Sequence, residues 1–163
     1  MKEYSSDKIR NVAVVSHDGA GKTALVESLL LTSGAVDFVG KGQDNKHIMD
    51  FEPEEIKRNV TIQLGIAPCE WHDHKVNFVD TPGYNEFHGE VRAALRACDG
   101  MLMVLSATSG VETDTVRAWD YAVELQMPRM AFINKMDVDG ADFFGTIERM
   151  RELFGKGIMP LQI

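Results

Sequence analysis

Gly19, Gly21, Lys22 and Thr23 share one short turn and have the residue types and spacing to hold a chain of phosphates. They form the closing part of the pattern G-x-x-x-x-G-K-[ST], in which backbone N–H groups and a helix N-terminus wrap anionic oxygens. Backbone from Asp18 through Gly19, Ala20, Gly21, Lys22, Thr23 and Ala24 would line the phosphates, with the Lys22 ammonium on the β and γ groups and the Thr23 hydroxyl on Mg²⁺. Ser16 stands where the pattern asks for its first glycine. Two further groups extend the chemistry. Asp80, followed by Thr81, Pro82 and Gly83, can hold Mg²⁺ through water, and the Gly83 N–H can approach a γ-phosphate. Asn134-Lys135-Met136-Asp137 offers a carboxylate at Asp137 that can accept from the N1–H and 2-amino group of guanine, a donor pair that adenine lacks. Asn134 and the stem of Lys135 would brace the ring and the loop. D-x-x-G alone is an ordinary turn in many proteins. Its position between the other two motifs gives it weight.

These residues need a scaffold that brings three turns together. Asn11 to Val15 reads as a buried strand, and a helix starting at Lys22 carries Leu25, Leu29 and Leu30 at helical spacing before stopping at Ser33-Gly34. Residues 35–60 show no sustained period and read as a long loop. Thr61 to Ile66 and Lys75 to Val79 read as an antiparallel pair at a sheet edge, turning near Asp73. A helix with Phe87, Val91, Ala94, Leu95 and Cys98 follows, then a strand from Met101 to Leu105. Next comes a helix from about Glu112 to Gln126 with Val116, Trp119 and Val123 on one face. A strand from Met130 to Ile133 leads into the Asn134 motif, and a last helix from about Asp142 to Phe154 buries Phe143, Ile147, Met150 and Phe154. Alternating strands and helices predict an α/β fold with a mostly parallel sheet, one antiparallel edge strand and helices on both faces. All three motifs then follow strands, at the carboxyl ends where such sheets bind ligands.

Composition narrows the function. The 163 residues suit one domain, and 44% hydrophobic content is ordinary for a globular protein. A net charge of −8, from 17 Lys and Arg against 25 Asp and Glu, argues against general nucleic-acid binding, so no direct DNA contact is expected. Cys69 and Cys98 lack metal-type or paired neighbours and fit reduced thiols, and no run reaches membrane-spanning length. A cytoplasmic protein without a membrane partner is expected. Residues 1–10 read as a flexible tail.

The order SHDGAGKT, RNVTI, DTPG, NKMD resembles the GTP-binding domain of translational GTPases, most closely elongation factor G and its paralogues. DTPGYNEFHGEVRAALRACDG, SATSGVETDT and the acidic run ahead of Arg58 strengthen the resemblance, which covers Lys8 to Ile163. It implies the phosphate-loop GTPase fold, GTP and GDP as ligands, Mg²⁺ as cofactor and the ribosome as partner of the full-length factor. It also implies that Thr61 meets Mg²⁺ and the γ-phosphate, and that residues 35–60 form the first switch, ordered by GTP and expected to be largely disordered from Asp37 to Arg58 without nucleotide. Lys22, Thr61, Gly83 and Tyr84 are then the catalytic candidates, with Thr23, Thr61 and Asp80 around the metal.

Four departures from that family bear on function. Asp18 and Gly19 stand where it usually has an apolar residue and aspartate, which puts a carboxylate near the γ-phosphate. Asn59 replaces a glycine. Tyr84 stands where a histidine commonly orients the attacking water, and a phenol with a pKa near 10 is a poor base at neutral pH. Tyrosine here points to elongation factor G-like paralogues. The chain stops at Pro160-Leu161-Gln162-Ile163, before the last guanine-contacting loop, so it reads as a truncated domain missing its last strand and helix. The strand around Phe132 would then be an exposed apolar edge prone to self-association. The expected function is GTP binding and hydrolysis in a ribosome-associated elongation factor that drives translocation, with weak binding and slow turnover in this fragment. The alternative is a guanine-nucleotide-gated module with little hydrolysis. An ATP-using protein is disfavoured by the Asn134 motif.

Overall fold

The computed structural model describes residues 2–38, 49, 52–58 and 61–162. Its centre is a sheet of five strands: β1 (Ile9–Val15), β2 (Gly65–Trp71), β3 (His74–Asp80), β4 (Gly100–Ser106) and β5 (Arg129–Asn134). Among the described residues they run β2-β3-β1-β4-β5 in space, with only the β2–β3 pair antiparallel. The helices are α1 (Lys22–Thr32), α2 (Pro53–Arg58), α3 (His88–Ala97), α4 (Thr113–Glu124) and α5 (Phe143–Phe154).

The two-residue period of the strands supplies both faces. Ala13 and Val15 of β1, with Met101, Met103 and Leu105 of β4, pack against Val91, Ala94 and Leu95 of α3, Ala118 and Ala122 of α4, and Met150 of α5. The alternating residues Val14 and Val104 face the other way, onto Val26 and Leu30 of α1. Both strands are therefore apolar almost throughout, as a parallel strand covered on two faces must be. Each large side chain buried this way, such as Leu95 or Leu105 at 0% exposure, contributes about 1.5–3 kcal/mol.

Several local expectations shift. Ile9 and Arg10, read as tail, begin β1 and pair with Lys75 and Val76. The first edge strand starts at Gly65 rather than Thr61, and its hairpin turns at His72 and Asp73, both at positive φ. Helix α2 lies inside the stretch read as loop. The rest of the Asp37–Arg58 expectation, and Asn59, fall largely outside the described residues. On α4 the buried residues are Thr115, Ala118 and Ala122, one position from the expected Val116-Trp119-Val123 face. Small alanines let the helix approach the sheet. Trp119 is displaced to the flank, where it stacks on Phe154 at 4.2 Å and under the Arg129 guanidinium at 4.7 Å.

At the far end β5 is an edge with Met130 57% and Phe132 43% exposed, the apolar edge anticipated around Phe132. Among the described residues no helix is long and apolar enough to cross a membrane.

Candidate functional site

The turn between β1 and α1 is shaped by two glycines that hold positive φ, +71° at Gly19 and +92° at Gly21, where side chains are strained. Ser16 is absent from the positive-φ positions, so serine meets no backbone penalty at the motif's first position. The Lys22 side chain is buried, and its Nζ donates to Ser16 Oγ at 3.1 Å and to the His17 carbonyl at 3.3 Å. The ammonium is thereby folded over the loop that would receive phosphates.

Parallel pairing delivers the second motif to the same place. Val14 of β1 is in register with Asp80 of β3, and the Val14 carbonyl accepts from both the Thr81 N–H at 3.2 Å and the Thr81 hydroxyl at 2.8 Å. Asp80, fully buried, accepts from the Thr23 hydroxyl at 2.7 Å. Thr23 Oγ1 also lies 3.2 Å from Thr61 Oγ1. Since the one Thr23 proton is committed to Asp80, Thr61 is the donor in that second bond. A Cβ at Gly83 would meet Lys22 Nζ at 2.6 Å and Asp18 Cα at 2.8 Å, so glycine alone lets this turn close on the phosphate loop. Beside it, the exposed Tyr84 phenol has its pKa raised above the usual value by the nearby Asp18 carboxylate, through hydrogen bonding first and charge second.

The oxygens of Thr23, Thr61 and Asp80 make a hard donor set around one carboxylate. Among the described residues no three His, Cys, Asp or Glu side chains cluster into a protein-only metal cage. That combination fits Mg²⁺, which is held by one or two carboxylates together with hydroxyls, waters and substrate phosphates.

The third motif follows β5. Asn134 Nδ2 donates to the Ala20 carbonyl at 3.0 Å, and its amide lies 2.5 Å from where a Gly21 Cβ would stand. Thus Asn134 ties the guanine-type loop to the phosphate loop. Its own carbonyl accepts from the Ala107 N–H at 2.8 Å, which links the ends of β4 and β5. Lys135 takes φ +62°, and Asp137 is exposed at the end of the turn, open to a ligand. Ala24 is exposed on the first turn of α1.

Two contributors escaped the sequence reading. His17, 3% exposed, places Nε2 at 3.4 Å from Glu112 Oε1 at the start of α4, while among the described residues its Nδ1 has no hydrogen-bond partner. Burial pushes its pKa down, against the opposing pull of Glu112. The other is Glu55, whose signal was a glutamate two positions after the proline that opens α2. A cavity of about 280 Å³ lies between the end of α1 and β2, lined by Ser33, Pro68, Cys69, Glu70 and Lys75. No motif residue reaches it, and the converging turns, open to solvent, are the better candidate site.

Comparison with known proteins agrees with this geometry. A family model described as the elongation factor Tu GTP binding domain matches residues 7–160. The crystal structure of a Thermus thermophilus protein is similar over 91% of this chain, with 40% sequence identity and a TM-score of 0.86. The chain spans 22% of that protein's length.

Proposed function

This chain belongs to the elongation factor Tu GTP-binding domain family of translational GTPases, and from that premise we propose that it binds GTP and GDP with Mg²⁺ and hydrolyses GTP within a ribosome-associated elongation factor that acts in translocation. The observation that carries the reading is the convergence of Lys22, Thr23, Thr61, Asp80 and Gly83 at the carboxyl ends of β1 and β3, braced by Asn134.

In this reading the Lys22 ammonium leaves Ser16 and the His17 carbonyl to hold the β- and γ-phosphates. The backbone N–H groups from Asp18 to Ala24 meet the remaining phosphate oxygens at the N-terminus of α1. Mg²⁺, when bound, neutralises charge that builds on the phosphates as the terminal P–O bond breaks. The Gly83 N–H and the Tyr84 hydroxyl position the water that attacks in line. Positioning and charge stabilisation carry most of the rate in such reactions, so a phenol in place of a stronger base is compatible with turnover. The Asp137 carboxylate selects guanine. A ribosomal partner implies a cytoplasmic protein.

Equilibrium binding of fluorescent GDP and ADP, with and without Mg²⁺, tests the first step. GDP binding with rejection of ADP is expected; equal binding would sink the guanine assignment. Release of phosphate from GTP, with and without ribosomes, tests the second.

A second reading is a guanine-nucleotide-gated module with little hydrolysis, favoured by the Asp18 carboxylate that engages Tyr84 at the γ-phosphate position. Ribosome-stimulated hydrolysis by the full-length protein and its Tyr84→His variant separates the two. A silent parent rescued by histidine supports the module, and an active parent supports the enzyme.

A further inference from the structure

The short helix α2 opens with Pro53, a residue suited to a first helical position because its missing N–H would have no intrahelical partner. Two residues on, Glu55 turns back so that Oε2 accepts from the Glu52 N–H at 3.1 Å, half of a capping box. Its other oxygen does something a cap does not require. Glu55 Oε1 accepts from two consecutive N–H groups, Ile62 at 2.9 Å and Gln63 at 3.0 Å. The side chain is only 2% exposed, so these charge-assisted bonds form away from water, where they are stronger and costlier to lose.

Ile62 and Gln63 directly follow Thr61, whose hydroxyl lies 3.2 Å from that of Thr23. We propose that Glu55 is a positioning residue for Thr61: its carboxylate clamps the backbone beyond the threonine to α2, so that the helix and the Thr61 hydroxyl are held or released as one unit. The inference rests on the reading above, in which Thr61 engages Mg²⁺ and the γ-phosphate. Coupling of this kind is reciprocal. A ligand that engages Thr61 therefore stabilises the docked α2, and a partner that pulls α2 away withdraws Thr61. Glutamine in its place offers one neutral acceptor oxygen, so at most two of the three bonds survive and none of them keeps its charge assistance.

The test compares the wild-type chain with Glu55→Gln by amide hydrogen exchange and by affinity for GDP and for a non-hydrolysable GTP analogue. In the wild-type chain the Ile62 and Gln63 amides should exchange far more slowly than in a free peptide. In Glu55→Gln their exchange should rise about tenfold, the scale of one lost charged hydrogen bond, while Val14 and Leu105 amides are unchanged. Affinity for the analogue should fall by roughly the same factor with GDP affinity unaltered. Wild-type amides that exchange at the free-peptide rate would overturn the proposal, as would an equal loss of affinity for both nucleotides, which marks a merely structural role. If Glu55→Gln does not fold, the wild-type exchange rates still decide. A wild-type chain that binds neither nucleotide counts against the functional reading alone, because the exchange measurement judges Glu55 independently.

Discussion

Asp18 lies near enough to Tyr84 to raise the phenol pKa, through hydrogen bonding first and charge second, so two residues that depart from the translational GTPase pattern act on each other. The pair links the turn after β3 to the turn between β1 and α1. It gives each substitution a physical partner. A carboxylate that would otherwise face the phosphates alone is engaged by a hydroxyl.

Asp18 should disfavour the nucleotide with the additional charge. Replacing it with alanine is expected to raise GTP affinity relative to GDP about fivefold, an exposed like-charge repulsion of roughly 1 kcal/mol. Titration with fluorescent GTP and GDP analogues reads the ratio directly, and an unchanged ratio would show that the carboxylate lies too far from the third phosphate.

The same interaction is visible in the tyrosine titration. The neighbouring carboxylate holds the Tyr84 pKa above its usual value near 10, through the hydrogen bond first and charge repulsion second. A folded pKa above the unfolded one adds stability that is present below pH 10 and lost as pH rises through the folded pKa. Ultraviolet difference titration should therefore show two late phenols in the wild-type chain, Tyr84 and Tyr4, and Asp18→Asn should bring the Tyr84 one alone back toward 10.

Gly83 has no room for a side chain. Alanine there would place its Cβ 2.8 Å from Asp18 Cα, a backbone atom that cannot swing aside. Gly83→Ala should cost about 1–3 kcal/mol in denaturant unfolding and slow GTP hydrolysis more than it weakens GDP binding. Full stability and full activity in the variant would show that the two turns separate easily.

Asp137 lies exposed, away from the core, and its work should be confined to ligand choice. Asp137→Ala is expected to leave thermal unfolding unchanged while GDP affinity drops about tenfold or more, the scale of losing a carboxylate's hydrogen bonds. Discrimination against ADP should fall with it. Retained discrimination would move the base-reading role to other residues.

His17 predicts an acid sensitivity. Its burial lowers the folded pKa below the unfolded value near 6.5, so below that pH the unfolded chain takes up a proton that the folded chain resists. Stability should fall as pH drops from about 7 toward 5, and His17→Gln should flatten that slope. Urea unfolding at the two pH values supplies the comparison; parallel slopes would mean that the imidazole is readily protonated in place.

How much of this could be read from the chain alone follows from the range of each interaction. Elements with one strong local period were legible: the apolar run of β4, the helix at Lys22 that follows a glycine turn, and the three motifs at strand ends. Their order along the chain pointed to a phosphate site because each motif's chemistry is carried by neighbouring residues. The face of α4 was misjudged by one position, since Trp119 outweighs Ala118 in any hydrophobic count but alanine fits closer to a sheet.

The sequence by itself determined the kinds of atoms available: an ammonium at Lys22, hydroxyls at Thr23 and Thr61, carboxylates at Asp80 and Asp137. Only the tertiary structure decided which of them meet. The Val14–Asp80 register brings Asp80 to Thr23, Asn134 reaches Ala20 across 114 positions, and Glu55 finds the amides beyond Thr61. Such pairings depend on strand register and on which backbone donors a folded loop leaves unsatisfied, and neither is a property of nearby sequence.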